Sequence, residues 1–156
     1  MTVPFKRVSL AALGLAATAL PALATPALAS PSVATDSAVY VERVTLRGGE
    51  PVRRLEPAAR LVHGDRVVTV VSWYRMGGDG GFTVVNALPA GLAYQASGQN
   101  GEEVSTDGGR NWGRPGALTI GGRLASPEDV THVRWRVSAA QALAGTGRIT
   151  YAGFVR

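Results

Sequence analysis

The chain has no cysteine. That excludes disulfides, a cysteine nucleophile and a lipid-modified cysteine anchor, so an exported form would be held by its core alone. It has only two histidines, His63 and His132. Neither has a carboxylate at a motif spacing, and two isolated imidazoles do not supply the three or four ligands of a zinc site. Lysine occurs once, at Lys6. Apart from the histidines, every basic residue after the first 29 is therefore arginine. Long apolar runs are also missing beyond residue 29, which predicts no membrane-spanning segment in that part of the chain.

What is present begins with an address. Lys6 and Arg7 precede an apolar run over residues 8–20, and small residues follow up to Ala27-Leu28-Ala29. This is the pattern of a secretory signal cut after Ala29, with Ala22-Leu23-Ala24 as the alternative site. The run is broken by Pro21 and falls short of the roughly 20 residues a spanning helix needs. The organisation expected is a signal peptide at 1–29, a flexible Ser/Thr/Pro/Ala leader at 30–37 and one domain at 38–156. The localisation expected is periplasmic or extracellular. The whole chain carries +5, and removal of Lys6 and Arg7 leaves +3. The arginines are scattered among acids, as in Glu42-Arg43 and Asp65-Arg66, which is an ordinary solvated surface, and no nucleic-acid partner is expected.

From residue 38 the periodicity is two. Val39, Val41, Val44 and Leu46 are spaced for a strand with a bulge at Glu42-Arg43, and Arg47-Gly48-Gly49-Glu50-Pro51 reads as a turn. Leu61-Val62 reads as a short strand. The longest strand is expected over residues 66–75, with Val67, Thr69, Val71 and Trp73 on one face. Residues 76–81 form a glycine-rich connection, 82–87 the next strand and 93–96 a short one. Residues 103–112 read as a hairpin about Asp107-Gly108-Gly109, and 117–120 as a further strand. Ser126-Pro127-Glu128-Asp129 is a helix start limited to about one turn. Val133, Trp135 and Val137 then alternate with His132, Arg134 and Arg136, and residues 148–155 close the sheet. The fold class expected is all-β, an antiparallel sandwich of about seven to nine strands.

Several of these residues carry a resemblance. Leu55-Glu56-Pro57-Ala58, Gly64-Asp65, Val84-Val85-Asn86-Ala87-Leu88-Pro89-Ala90-Gly91-Leu92 and Tyr94 match a bacterial immunoglobulin-like module. So do Val104-Ser105-Thr106-Asp107-Gly108-Gly109 and Val130-Thr131-His132-Val133-Arg134-Trp135. From about Leu55 onward the chain resembles a single copy of the DUF11-type, or "conserved repeat", domain. Asn86 stands where that family usually has Asp, and Arg75-Met76-Gly77 replaces its usual Asn-x-Gly. The resemblance implies an immunoglobulin-like sandwich in a cell-envelope or secreted setting, without enzymatic activity.

Three sets of residues are of catalytic or metal-binding type. Ser105-Thr106-Asp107-Gly108-Gly109-Arg110-Asn111-Trp112 is similar to the Asp-box of sialidases, where the Asp caps a turn and the Trp packs beneath it. One copy cannot build a propeller of at least about four blades. Glu102-Glu103 with Asp107 is the nearest approach to a glycosidase pair, but neighbours along a strand face opposite ways. Asp65, Asp79 and Asp107 each adjoin a glycine; loop calcium is one reading, turn chemistry is the one adopted, and no cofactor or metal is expected. The function expected is a non-catalytic structural or interaction module of the envelope, with an envelope protein or polysaccharide as partner. The alternative is a carbohydrate-binding module using Trp112, Arg110, Arg114 and Tyr94, with aromatic rings stacking on sugar and arginines beside them.

Overall fold

The alternation over Val67, Thr69, Val71 and Trp73 sets up the interior, because all four are buried while the residues between them are partly solvated. The computed structural model describes residues 30–156. The expected export signal and its cleavage site, in residues 1–29, lie outside the described residues. The strands are β1 (Ser32–Arg47), β2 (Glu50–Pro57), β3 (Arg66–Gly77), β4 (Phe82–Ala87), β5 (Leu92–Ser97) and β6 (Glu103–Ser105). They continue with β7 (Thr119–Ile120), β8 (Arg123–Leu124), β9 (His132–Val137) and β10 (Thr146–Val155). A 3-10 turn (Pro127–Asp129) and a one-turn helix α1 (Ala139–Ala142) complete the elements.

The fold is all-β. A large sheet in the order β2-β1-β3-β10-β5 faces a small sheet in the order β4-β9-β6, and β7 pairs with β8 beside them. All the paired strands are antiparallel. The core lies between the two sheets. Val71, Trp73, Tyr94, Ile149 and Tyr151 come from the large sheet, and Val84, Val104, Val133, Trp135 and Val137 from the small one. Burial of such side chains contributes about 1.5–3 kcal/mol each. Trp135 stacks on Tyr151 at 5.8 Å between ring centroids, and Trp73 meets Phe82 edge to face at 5.2 Å. Both tryptophans are core residues, as their phase with neighbouring valines implies. Trp73 lies directly on Gly147, where any Cβ would collide with the indole.

Four details depart from the sequence reading. Residues 32–37, expected as part of a flexible leader, are the first half of β1, and the domain therefore begins earlier than residue 38. Their Ser/Thr/Ala composition is a weak strand signal, but β3 supplies the ladder, with Thr35 opposite Trp73 and Ser37 opposite Val71. There is no bulge at Glu42-Arg43: the pairing of β1 with β2 runs unbroken from Tyr40 opposite Pro57 to Arg47 opposite Glu50. Leu61-Val62 is not a strand; β2 takes that place earlier in the chain. The hairpin about Asp107 is reduced on its return side to one bridge, Val104 to Gly113.

Gly48 and Gly49 have φ of 62° and 87°, the left-handed pair that a two-residue hairpin turn needs. Past Val41, which faces Val67, β1 pairs only with β2. The end of the hairpin therefore projects from the sandwich as an arm. Arg43 bonds Asp65, and Glu42 bonds both Arg53 and Arg66, fixing the root of the arm.

Candidate functional surface

The outer face of the small sheet collects Glu103, His132 and two arginines, and the turn carrying Trp112 packs against it. Register places Val85, Arg134 and Glu103 in one row across β4, β9 and β6. Thr83 and Arg136 share the next row on one side, and Ala87, His132 and Ser105 the next on the other. Glu103 accepts from Arg134 Nε at 2.8 Å and from Arg136 at 3.3 Å. The Arg134 bond, with the second guanidinium beside it, holds the Glu103 carboxyl below its ordinary pKa.

The Ser105–Trp112 segment is a tightly bonded turn. Asp107 Oδ1 accepts from the Arg110 and Asn111 amides at 3.1 and 2.9 Å and from Ser105 Oγ at 2.8 Å. Its Oδ2 accepts from Asn111 Nδ2 at 2.6 Å. These bonds, the Asn111 amide first, hold the Asp107 carboxyl well below the usual carboxylate range. Fully buried Ser105 accepts the Gly109 amide, and Thr131 ties the Gly108 amide to the start of β9. Asp107 is thus a structural acceptor with its lone pairs engaged.

Trp112 packs beneath this turn. Its Nε1 donates to the Gly109 carbonyl at 2.8 Å, and the Arg134 guanidinium lies over the ring at 4.4 Å from the centroid. His132 meets it edge-on at 6.5 Å. Local spacing gives no sign of Arg134 and His132 as its neighbours. Their side of β9 was legible from the alternation, but their meeting with a turn residue depends on the fold.

The four residues grouped as a ligand site do not come together. Arg110 and Arg114 are exposed and form no ion pair among the described residues. Tyr94 is 4% exposed and belongs to the core, because its phase with Leu92 turns it to the inner face of β5. Its hydroxyl is buried with no hydrogen-bond partner among the described residues. Burial first, and the nearby Glu102 carboxylate second, push its pKa upward. Tyr94 lines a small cleft of about 120 Å³ with Val104, Pro115, Leu118 and Val130.

Among the described residues, two further acids serve as caps and ion-pair partners. Asp129 caps the 3-10 turn by accepting from Ser126 and pairs with Arg123, and Asp65 accepts the Val62 amide and binds Arg43. His63 lies apart from His132, lining an open groove with Phe154 and Glu128. No group of three or more His, Cys, Asp or Glu able to hold a metal ion occurs among the described residues. No helix among them is long and apolar enough to cross a membrane. Comparisons with protein-family models, with curated proteins and with solved structures each return no match.

Proposed function

We propose that this chain is an exported, non-catalytic interaction module of the bacterial cell envelope, built on an immunoglobulin-like sandwich. The observation that carries the reading is the use made of the carboxylates. Asp65, Asp107, Asp129, Glu42 and Glu103 are all engaged in caps and ion pairs of the scaffold, while Thr83, Val85 and Ala87 of the β4 edge are exposed. The signal-like N-terminus and the resemblance to DUF11-type modules support the same reading. Sandwich domains commonly present partners with edges and end loops.

The test is fractionation of the native host with and without a high-salt wash, followed by crosslinking and a hydrolase panel on the purified chain. Retention in the envelope fraction with a defined crosslinked partner is expected. Efficient turnover of any substrate in the panel would overturn the reading.

The second reading, sugar binding on Trp112, rests on that ring standing in the turn that also carries the exposed Arg110 and Arg114, neither of which forms an ion pair among the described residues. Its platform is reduced, since the indole N–H is already bonded and Arg134 covers one face. Loss of polysaccharide-induced fluorescence change in Trp112→Ala would favour it.

A further inference from the structure

The β4 edge differs from the β2 and β5 edges in what it offers a second chain. The Leu88 amide donates to the Thr131 carbonyl at 2.8 Å, continuing the register in which Ala87 faces His132. Antiparallel pairs alternate between hydrogen-bonded and non-bonded, so Phe82, Val84 and Asn86 bond to β9. The N–H and C=O groups of Thr83, Val85 and Ala87 then point away from the sheet. Among the described residues, β4 pairs with β9 alone. It contains no proline and no charged residue, the usual guards of an exposed edge.

The first half of β1 pairs with β3 alone among the described residues but carries the charge of Asp36, and β2 and β5 are guarded by other means. Across the glycine turn Arg47 and Glu50 form the first hydrogen-bonded pair, and the Ala58 amide donates to Val39 at 3.0 Å in the same phase. The outward positions of β2 are therefore Pro51, Arg53, Leu55 and Pro57. Two of those four lack an N–H. The 3-10 turn packs beside β5.

No described residue pairs with the outer side of β4. The strand packs over β3 through Phe82 and Trp73, and over β10 through the Asn86 to Tyr151 bond of 2.7 Å. One further strand of the large sheet, the first half of β1, extends past it, since β2 pairs only with the arm half of β1 from Tyr40 to Arg47. The inner-face residues of β1 at this overhang, Thr35, Ser37 and Val39, are exposed. A groove of about 480 Å³ lined by Val39, Ala58, Leu61 and Pro89 opens at its end.

We propose that β4 accepts an extended segment of another protein as a fourth strand of the small sheet, lying over the β1 shelf. This rests on the interaction-module reading and names the partner's form. The segment is uncharged along the shelf, with small aliphatic or hydroxyl side chains at alternate positions facing Thr35, Ser37 and Val39. The overhang excludes a second copy of the chain. A two-fold β4–β4 pairing keeps both large sheets on the same side, with the paired strands only about 4.8 Å apart. The first half of each copy's β1 would then occupy the space of the β3 that lies beneath the other's β4. A lone strand meets no such obstacle.

The probe is a capped, soluble peptide alternating valine with serine or threonine, titrated into the full chain and into two variants. Val85→Pro removes an outward donor on β4, and Arg53→Pro removes one on β2. Neither substitution removes a ladder bond, and circular dichroism and melting identify any variant that fails to fold. The result expected is slowed amide exchange at Thr83, Val85 and Ala87 on peptide addition. Affinity should fall at least tenfold in Val85→Pro and hold within twofold in Arg53→Pro. Should Val85→Pro fail to fold, an N-methylated peptide unable to pair serves as the second test, and its binding as well as the parent would overturn the proposal. No protection at these amides, unchanged affinity in Val85→Pro, or concentration-dependent protection without peptide would each overturn it as well. Envelope crosslinking that persists in Val85→Pro would leave the interaction reading standing and remove only the edge.

Discussion

The two long edge strands at this side of the molecule, β2 and β4, face solvent with opposite chemistry. On β2 the outward positions hold two prolines and an arginine, whereas on β4 they hold Thr83, Val85 and Ala87. The apolar side chains are also placed differently. β4 sends Val84 into the core and leaves Val85 51% exposed, while the arm carries Val44 and Leu46 in the open, the latter 75% exposed. An exposed edge invites strand pairing, and a chain manages that with proline, charge or cover. Here one edge is blunted and the other is left able to pair, so greasiness alone does not mark the docking strand. The direction of its backbone groups does.

The comparison can be tested by substitution. The largest effect is expected at the strand that supports β4. Trp135→Ala removes the ring stacked on Tyr151 and the bond to Ser97, and should cost about 3–5 kcal/mol in denaturant unfolding. Next, Val84→Ala in the core should cost about 2 kcal/mol, given the usual range for truncating buried aliphatic side chains. Val44→Ala in the arm should stay within about 0.5 kcal/mol, as for exposed positions. Equal costs would mean that the arm packs against something in solution.

A smaller effect is expected from unguarding the blunt edge. Pro51→Thr with Pro57→Thr restores two outward amides to β2, and light scattering should show concentration-dependent association that the parent lacks. The smallest effect concerns acid. Asp107 anchors the turn after β6 and has a lowered folded pKa, so its contribution is present above the unfolded value of about 3.9 and is lost as pH falls through the folded one. Asp65 does the same at the root of the arm. Asp107→Asn and Asp65→Asn should each flatten the fall in stability below about pH 4. Melting curves over that range would show it.

Much of the sandwich was legible because burial on one face writes itself into a period of two. Val67 to Trp73, residues 82–87 and Val133 to Val137 all follow it. The first half of β1 was not legible, because Ala34, Thr35, Asp36 and Ser37 face solvent and take their conformation from the neighbouring strand. β2 was hidden by its prolines, which fit a strand only where their missing N–H would have pointed outward. The Asp107 turn was readable from local spacing. The Arg134 guanidinium above Trp112 was not, since that contact joins a turn to a strand distant in the chain. Tyr94 was misplaced for a related reason: a short strand offers too little alternation to tell the inner face from the outer.

The most direct measurement is residue-resolved amide exchange along β4 in the free chain. The account predicts alternation, with Phe82, Val84 and Asn86 protected and Thr83, Val85 and Ala87 exchanging freely. Uniform protection of all six would mean that the edge is already covered, and would contradict it.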